Sequence, residues 1–382
     1  MSSPNRSLSV AHVSSAHPYT DNRIHYRESQ SLADAGFDVR LIAVDSPVSG
    51  PPSGVHVRTI PRRSRIKRMV FSSAQAVFLA IRSRAKILHL HDPELIPYIP
   101  LLRILRRVVI FDAHEDLPTQ VLDKHYLSPI MARGISALAK GLLQTLRLCN
   151  LVVAATETIA ARLPNKNVVI VHNYPPLREE ETAATDRDIN ERPPRVVYIG
   201  GMSVERGAGV MIDALSEGNM PDGWRLNLAG SGSKALMDGL ASQPGWERVD
   251  YRGQIPPNEA RDLIVESRIG LVLFQDNPAH RESLPTKMFE YFAAGVPVVA
   301  SDFPLWRTIV QRHQCGQLIH EESPKEVADA LNRYASDPEL LAQHSRNARE
   351  LALNTLNWAP EAERLVAAYE GLRVPGRRVG TH

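Results

Sequence analysis

Two glutamates, Glu282 and Glu290, frame the stretch of this chain whose residue types are best placed to do chemistry, RESLPTKMFEYFAAGVPVVASD from Arg281 to Asp302. An apolar strand flanks it on each side and a short helix lies between. Ser283 is placed to cap that helix, Pro285 suits its first turn because a missing N–H is unpaired there anyway, and Gly295 followed by Pro297 stops it. The helix therefore starts in the loop leaving an apolar strand at Ile269 to Phe274. In open α/β sheets ligands bind beyond the carboxyl ends of strands, where helix N-termini present free N–H groups and partial positive charge. An anion, most simply a phosphate, fits there. Lys287 adds a full positive charge in the first turn, and Glu290, three residues on, shares its face. Two carboxylates beside one anion site repel the ligand unless it also brings hydroxyl donors, as a ribose and a hexose would. The plainer alternative is that both glutamates are solvated helix-end charges.

Other clusters are less specific. The polar run Ser14 to Glu28, SSAHPYTDNRIHYRE, reads as a long loop after the first strand. Its Asp21, Asn22 and Arg23 can hydrogen-bond a sugar or a phosphate, but Asp21-Asn22 equally reads as a turn capping the next helix. His89-Leu-His-Asp-Pro-Glu94 and Asp112-Ala-His-Glu-Asp116 suggest a metal site at first sight. Ligands that alternate along strands point to different faces, so no metal is expected. The glycines Gly230 and Gly232 in Leu228-Ala-Gly-Ser-Gly232 suit a ligand loop, and a plain strand-to-helix turn needs glycine equally.

What must position these residues is legible as a series of short β-branched runs with helical stretches between, the signature of a parallel sheet covered on both faces. The first series has strands at Leu8 to Val13, Val39 to Val44, Ile87 to His91, Val108 to Asp112, Leu151 to Ala155 and Val168 to Val171. A charged, apolar-poor stretch ending in Pro-Pro, Arg178 to Pro194, reads as a solvated linker. A second series follows at Val196 to Ile199, Arg225 to Ala229, Val249 to Arg252, Ile269 to Phe274, Val298 to Ser301 and Gln317 to Ile319. The expectation is an α/β protein of two Rossmann-like domains, residues 1–176 and 195–357, joined by a linker at 177–194. A closing segment, 358–382, carries a helix from Trp358 to Leu372 expected to return to the first domain, and then a tail.

Composition agrees. A chain of 382 residues is too long for one ordinary core, and 43% hydrophobic with 23% charged residues excludes whole-chain disorder. Cys149 and Cys315 are too few for a disulfide framework or a cysteine zinc site, and fit a reducing compartment. The longest nearly unbroken apolar run, Leu95 to Leu102, is far short of the ~20 residues that span a bilayer, and the start lacks a secretory pattern, so a cytoplasmic protein is expected. The net charge of +3 divides unevenly: residues 1–176 carry 22 Lys and Arg against 12 Asp and Glu, net +10, and the remainder is net −7. Cations gather at Arg62, Arg63, Arg65, Lys67 and Arg68, before a helix with Val70, Ala74, Val77, Phe78 and Ile81 on one face, and again at Arg103, Arg106, Arg107, Arg133, Lys140 and Arg147. The apolar stripes read first as core, whereas several cations at ~1 kcal/mol each would draw a surface to an anionic leaflet.

The segment from Glu282 to Glu290 resembles the element of two glutamates separated by seven residues in retaining GT-B glycosyltransferases, above all glycosyltransferase family 4. The resemblance extends along nearly the whole chain and implies a GT-B fold, two Rossmann-like domains with parallel sheets facing a central cleft. It implies that Glu282 contacts the donor sugar, that Glu290 holds the nucleotide ribose, and that the loop Ser283, Leu284, Pro285, Thr286, Lys287 holds the diphosphate. Tyr198-Ile-Gly-Gly-Met-Ser-Val-Glu-Arg-Gly207 resembles the first strand and loop of the donor domain, which passes the pyrophosphate-binding role to Arg206. Many relatives place a second cation five positions earlier; here that position is Gly201, so neutralisation falls to Arg206 and Lys287. Gly230 and Gly232 match a turn close to the nucleotide. His114 matches a histidine facing the donor sugar, which makes His114 and Glu282 the implied catalytic pair. Asp21, Asn22 and Arg23 match a cleft loop, where many relatives carry a Gly-Gly that this chain lacks.

The implied reaction moves a hexosyl unit from a UDP- or GDP-sugar to a hydroxyl of a glycan or lipid-linked acceptor in cell-surface polysaccharide or glycolipid synthesis. It proceeds with retention and without an agreed enzyme nucleophile, the leaving phosphate taking the acceptor's proton. No metal or other cofactor is required by that scheme. The implied partners are a nucleotide sugar, the acceptor and an anionic membrane touched by the basic domain at the inner face of the plasma membrane; no nucleic acid is expected. A nucleotide-sugar epimerase of the same fold is the alternative, disfavoured by the glutamate spacing, as is a non-catalytic nucleotide-sugar or glycolipid binder, disfavoured by Glu282, Glu290, Arg206 and His114. A dinucleotide oxidoreductase lacks the G-x-G-x-x-G after its first strand.

Overall fold

The computed structural model describes residues 8–47, 50, 53–114, 140–177, 188–320 and 322–374. Arg133, the Glu115-Asp116 end of the histidine cluster, the heart of the expected linker at 178–187 and the tail beyond 374 lie outside the described residues. The chain forms two compact units: Met1–Asn173 with Trp358–His382, and Tyr174–Asn357.

The first unit is built on seven parallel strands in the order β3-β2-β1-β4-β5-β6-β7. They are β1 Ser9–Pro18, β2 Asp38–Val44, β3 His56–Ile60, β4 Ile87–Leu90, β5 Val108–Ala113, β6 Leu151–Ala154 and β7 Val168–Ile170. Strands β1, β4, β5 and β6 are buried almost throughout, as both faces of a parallel sheet are covered. β3 escaped the sequence reading because it is an edge strand, exposed at four of its five residues and so without an apolar run. Nor is Ser14 to Glu28 a loop: β1 runs on to Pro18 past an irregularity after Val13, and a π-helical turn spans Asn22–Ser29.

The helix Trp358–Glu370 completes this unit. Trp358, Leu365 and Tyr369 are buried with Val10, Val108 and Leu151, and Glu361 accepts hydrogen bonds from the His172 backbone and ring.

The second unit has six parallel strands in the order β10-β9-β8-β11-β12-β13. These are β8 Arg195–Ile199, β9 Arg225–Ala229, β10 Val249–Tyr251, β11 Ile269–Val272, β12 Val298–Ser301 and β13 Gly316–Ile319. The stretch just before β8 departs from the solvated linker expected there. Ile189 is buried in this unit's core, and Arg192 donates to the carbonyls of Ser267 and Ala294. One isoleucine in a run of charge was enough to anchor it.

In each sheet the strand order reverses once, between β1 and β4 and between β8 and β11. At such a switch point the loops leaving the carboxyl ends diverge and open a crevice.

Candidate functional site

At the switch point of the second unit, β8 ends in Gly200 and Gly201, a short turn Val204–Arg206 follows, and the helix Ala208–Ala214 begins after Gly207. Gly207 sits at φ 68°, and a Cβ there would lie 2.5 Å from the Leu273 carbonyl, so only glycine lets this loop press against the end of β11. Gly230, after β9, has φ 136°, and its Cβ would come within 1.9 Å of the Gly200 carbonyl. The two glycine turns therefore close on one another and bare their backbone.

Two cations reach over that surface. The Cβ position of Gly200 is 3.2 Å from Lys287 Nζ, and that of Gly201 is 2.9 Å from Arg206 Nη1, which donates to the Gly201 carbonyl. Lys287 is partly exposed as a residue, yet its Nζ is sealed from solvent and has no hydrogen-bond partner among the described residues. The ammonium lies 3.6 Å from the centroid of the Tyr198 ring, a cation–π contact. Burial, and then repulsion from Arg206, pull its pKa down to about 7, against a smaller opposite pull from Glu290. The full positive charge expected from the sequence is thus only partial at neutral pH in the unliganded unit. An anion between Arg206 and Lys287 would restore it.

Lys287 is held by the helix Thr286–Ala293, whose apolar face, Met288, Phe289, Tyr291 and Phe292, is buried in the core of the unit. The Tyr291 hydroxyl accepts from the Ile199 N–H, tying this helix to the end of β8. Contrary to expectation, Ser283 does not cap it. Pro285 occupies the cap position without a side-chain bond, while Ser283 Oγ donates to the His280 carbonyl. The cause is a second short helix, Pro278–Arg281, capped by Asn277, which the sequence reading took as loop and whose C-terminal end is Glu282. Trp306 Nε1 donates to the Ser283 carbonyl and fixes the strand-like link from Glu282 to Pro285. Leu284 is partly buried against the core, and Thr286 opens the helix. Glu282 and Glu290 are both partly exposed at the two ends of this element. Gly232 lies under the same loops, its Cβ position 3.2 Å from the Met202 carbonyl.

The first unit gathers charge at its own switch point around Asp112. Its carboxylate accepts two hydrogen bonds from Arg23, Nε at 3.0 Å and Nη2 at 2.8 Å, and one from His114 Nδ1 at 3.1 Å. Burial opposes that charge, but Arg23 first and then the histidines hold the carboxyl well below the usual range. Burial likewise opposes charge on His114, and the bond to Asp112 outweighs it, raising the pKa. His114 is the partly exposed member of the cluster. Arg23 is not a ligand-facing residue as expected: it is buried, also donating to the Val171 carbonyl, with Glu28 Oε1 3.0 Å away. Asp21 takes the turn alternative, its Oδ1 accepting from the Ile24 N–H to cap the π-helical turn. Asn22 is exposed beside it. Asp92, which sequence reasoning noted only in passing, organises the end of β1. It accepts from the Ser14 hydroxyl and the Ser15 and Ala16 N–H groups, and despite burial these and His17 bring its pKa to about 2.

Two sequence expectations on surface and metal also change. His89 on β4 and His91 just past its end do not point to different faces: their rings lie 4.5 Å apart, and both are fully buried. The stripe Val70, Ala74, Val77, Phe78, Ile81 splits: Val77 is core, whereas Val70 and Phe78 are exposed together with Ile66, Met69 and Phe71. Arg62, Arg65 and Lys67 are exposed beside them.

Two family models match in tandem: glycosyltransferase family 4 over residues 23–179 and glycosyl transferases group 1 over residues 179–351. Among curated proteins, the chain is 33% identical over 136 residues to a D-inositol 3-phosphate glycosyltransferase of Saccharomonospora viridis, covering 36% of this chain and 30% of that protein. It is 27% identical over 195 residues to the phosphatidyl-myo-inositol mannosyltransferase of Mycobacterium leprae, covering 48% of each. The matched part thus spans 30% to 48% of the length of these relatives. Solved structures match over nearly their whole length. The lipopolysaccharide glycosyltransferase WaaG has a TM-score of 0.71 at 14% identity, covering 95% of this chain and 100% of that one. HepE of Anabaena, in complex with UDP and glucose, has 0.71 at 14%, covering 96% and 100%. Sucrose-phosphate synthase of Thermosynechococcus elongatus has 0.70 at 17%, covering 95% and 98%. At such identities these likenesses speak for the fold.

Proposed function

The chain belongs to the GT-B glycosyltransferases, family 4-like in its first half and group 1 in its second, and from that premise we propose that it moves a hexosyl unit, with retention, from a UDP- or GDP-sugar to a hydroxyl of a glycan or lipid-linked acceptor. One observation carries the reading: two cations, Arg206 and the sealed, unpartnered Lys287 Nζ, converge over Gly200 and Gly201 with no anion bonded to Lys287. A diphosphate is the anion of the right size and charge to lie across both, at the start of the Thr286–Ala293 helix where the helix dipole adds to them. Lys287 here does the work of the cation absent at Gly201.

In this reading Arg206, Lys287 and the helix start stabilise the leaving diphosphate as its charge grows. Glu290 holds the ribose and Glu282 the sugar hydroxyls, which offsets their repulsion of the phosphates. His114, oriented through Nδ1 by Asp112, is the first unit's candidate for the acceptor hydroxyl. The scheme uses no metal. That HepE is described in complex with UDP and glucose supports the uridine diphosphate form of the donor.

The acceptor side is proposed to meet an anionic membrane. The exposed apolar residues Ile66, 80% exposed, and Ile104, 78%, each adjoin exposed cations in sequence, Arg65 and Lys67 in one case and Arg103 and Arg106 in the other, and exposed apolar residues beside basic ones suit a lipid interface. The product would enter cell-surface polysaccharide or glycolipid synthesis.

The test is a screen of UDP- and GDP-sugars with mass detection of released nucleotide, with and without candidate acceptors. Release that depends on Arg206 and Glu290 is expected. Full activity in Arg206→Ala and Glu290→Ala would refute the site, and conversion of the sugar nucleotide without any release would point to an epimerase.

A further inference from the structure

Beneath the Asp112 cluster, three histidines and a carboxylate converge in the interior of the first unit. His12 on β1 stands in register with His89 on β4, His91 follows β4, and Glu28 enters from the Asn22–Ser29 turn. All four are fully buried. One nitrogen or oxygen from each lies within 4.8 Å of the others, and the ring centroids are 4.5 to 5.1 Å apart.

The hydrogen bonds are compatible with lone pairs pointing into this cluster, on His89 Nε2 when His89 Nδ1–H donates to the Tyr369 oxygen. A carboxylate can only accept, so His91 Nδ1–H donates to Asp112, at 3.3 Å, which leaves a lone pair on His91 Nε2. His12 Nδ1–H donates to that nitrogen, at 2.9 Å, which leaves a lone pair on His12 Nε2; a cation on His91 Nε2 takes the place of this one hydrogen bond. Among the described residues His12 Nε2, His89 Nε2 and Glu28 Oε2 have no hydrogen-bond partner. Buried acceptors without donors are unfavourable, and a cation satisfies them together.

The surroundings match what metal-ligating histidines require. Such residues engage their second nitrogen with a carboxylate or hydroxyl, which fixes the ring. His91 Nδ1 is held by Asp112 and His89 Nδ1 by the Tyr369 hydroxyl, at 2.7 Å. Arg23 pairs with Asp112 and also lies 3.0 Å from Glu28 Oε1, so it is the second carboxylate oxygen, Glu28 Oε2, that is left to face a cation. Three imidazoles and one carboxylate suit zinc or cobalt rather than magnesium or calcium, which prefer all-oxygen sites. Zinc bonds of ~2.0–2.1 Å to four tetrahedral ligands place those ligands about 3.3 Å apart. The widest pair must therefore close by about 1.5 Å, a side-chain adjustment.

We propose that His12, Glu28, His89 and His91 form a binding site for one divalent cation of the zinc class, a structural centre that clamps β1 and β4 to the Asn22–Ser29 turn and to the helix Trp358–Glu370 through Tyr369. It takes no part in the transfer chemistry and stands or falls apart from the donor site.

The experiment uses the full chain without an affinity tag, stripped with a chelator and dialysed against micromolar free Zn²⁺. The expected result is one zinc per chain by plasma mass spectrometry, a higher melting temperature than the stripped protein, and with Co²⁺ the intense visible absorption of a four-coordinate site. The double variant His12→Asn, His89→Asn loses the metal, while His313→Asn, at an exposed position of the second unit, keeps it. Tyr369→Phe removes one hydroxyl without altering packing and lowers zinc affinity about 10- to 100-fold. It decides the matter should the double variant fail to fold. Wild-type protein that holds far less than one zinc, a folded double variant that still holds one, or Tyr369→Phe with unchanged affinity overturns the proposal.

Discussion

If a diphosphate seats between Lys287 and Arg206 as proposed, Lys287 couples its binding to pH, and the surroundings of the amine give the magnitude. With its pKa near 7 in the free protein, the ammonium is charged in about nine-tenths of molecules at pH 6 and about one-tenth at pH 8. A diphosphate seated between Lys287 and Arg206 requires the charged form, so affinity should fall about tenfold for each pH unit above 7. From pH 6 to pH 9 the loss is about 100-fold, or about 2.7 kcal/mol. The ligand does not confuse the reading, because a terminal phosphate with pKa ≈ 6 is already ionised above pH 7. Calorimetric titration of UDP and GDP, in two buffers of different ionisation heat, should show uptake of nearly one proton per nucleotide bound at pH 8 to 8.5.

Stability moves oppositely. Below pH 7 the amine is charged in both folded and unfolded chains, and burying it costs about 4–5 kcal/mol, the equivalent of displacing it from 10.5 to about 7. Between pH 7 and 10.5 the folded state binds fewer protons, so stability rises with pH. Lys287→Met should therefore raise the melting temperature, most at pH 6, while it weakens nucleotide binding and flattens its pH profile. An affinity constant from pH 6 to 9, or a pH slope that persists in Lys287→Met, would refute the argument.

Three further outcomes are expected. Gly230→Ala, which forces a Cβ to within 1.9 Å of the Gly200 carbonyl at φ 136°, should destabilise the second unit by more than ~2 kcal/mol and abolish nucleotide binding; a thermal melt and titration matching wild type would contradict it. Asp112→Asn leaves the Arg23 guanidinium buried without its charge partner and should cost the first unit about 3–5 kcal/mol, measurable by denaturant unfolding, where a change under ~1 kcal/mol would show that Glu28 alone suffices. Phe71→Glu with Phe78→Glu, both in the exposed apolar stripe, should cut sedimentation with anionic liposomes severalfold, and binding that ignores these changes, the lipid charge and salt would remove the membrane from the reading.

The strands were readable because both faces of a parallel sheet are buried, which leaves apolar runs that no loop interrupts; β3 alone lacked that pressure and was missed. That Lys287 and Arg206 converge on one glycine loop was suggested by residue type and spacing around a helix start, and the structure brings the two side chains to the Cβ positions of Gly200 and Gly201. What spacing does not carry is burial. Nothing in SLPTKM reveals that Nζ of Lys287 lies under cover of Tyr198, a residue of β8 far away in sequence. Arg23 misled for the same reason: its partner Asp112 is 89 positions on, so a polar run resembled a ligand loop. Ser283 misled because a capping residue and a helix C-terminal hydroxyl have the same sequence signature when two short helices abut. Gly200 was the overlooked signal, since a glycine pair directly after a strand marks backbone left open for something to approach.

The helix Trp358–Glu370 belongs to the unit whose last strand, β7, ends at Ile170. On the ribosome, the second unit, continuous from Tyr174 to Asn357, is therefore fully synthesised before the first has received its final piece. Until then Val10, Val108 and Leu151 lack their apolar cover, His89 lacks the Tyr369 hydroxyl and His172 lacks Glu361. The portion of the chain made first is the last to be finished, and the nascent protein must carry an open hydrophobic face through the making of an entire second unit.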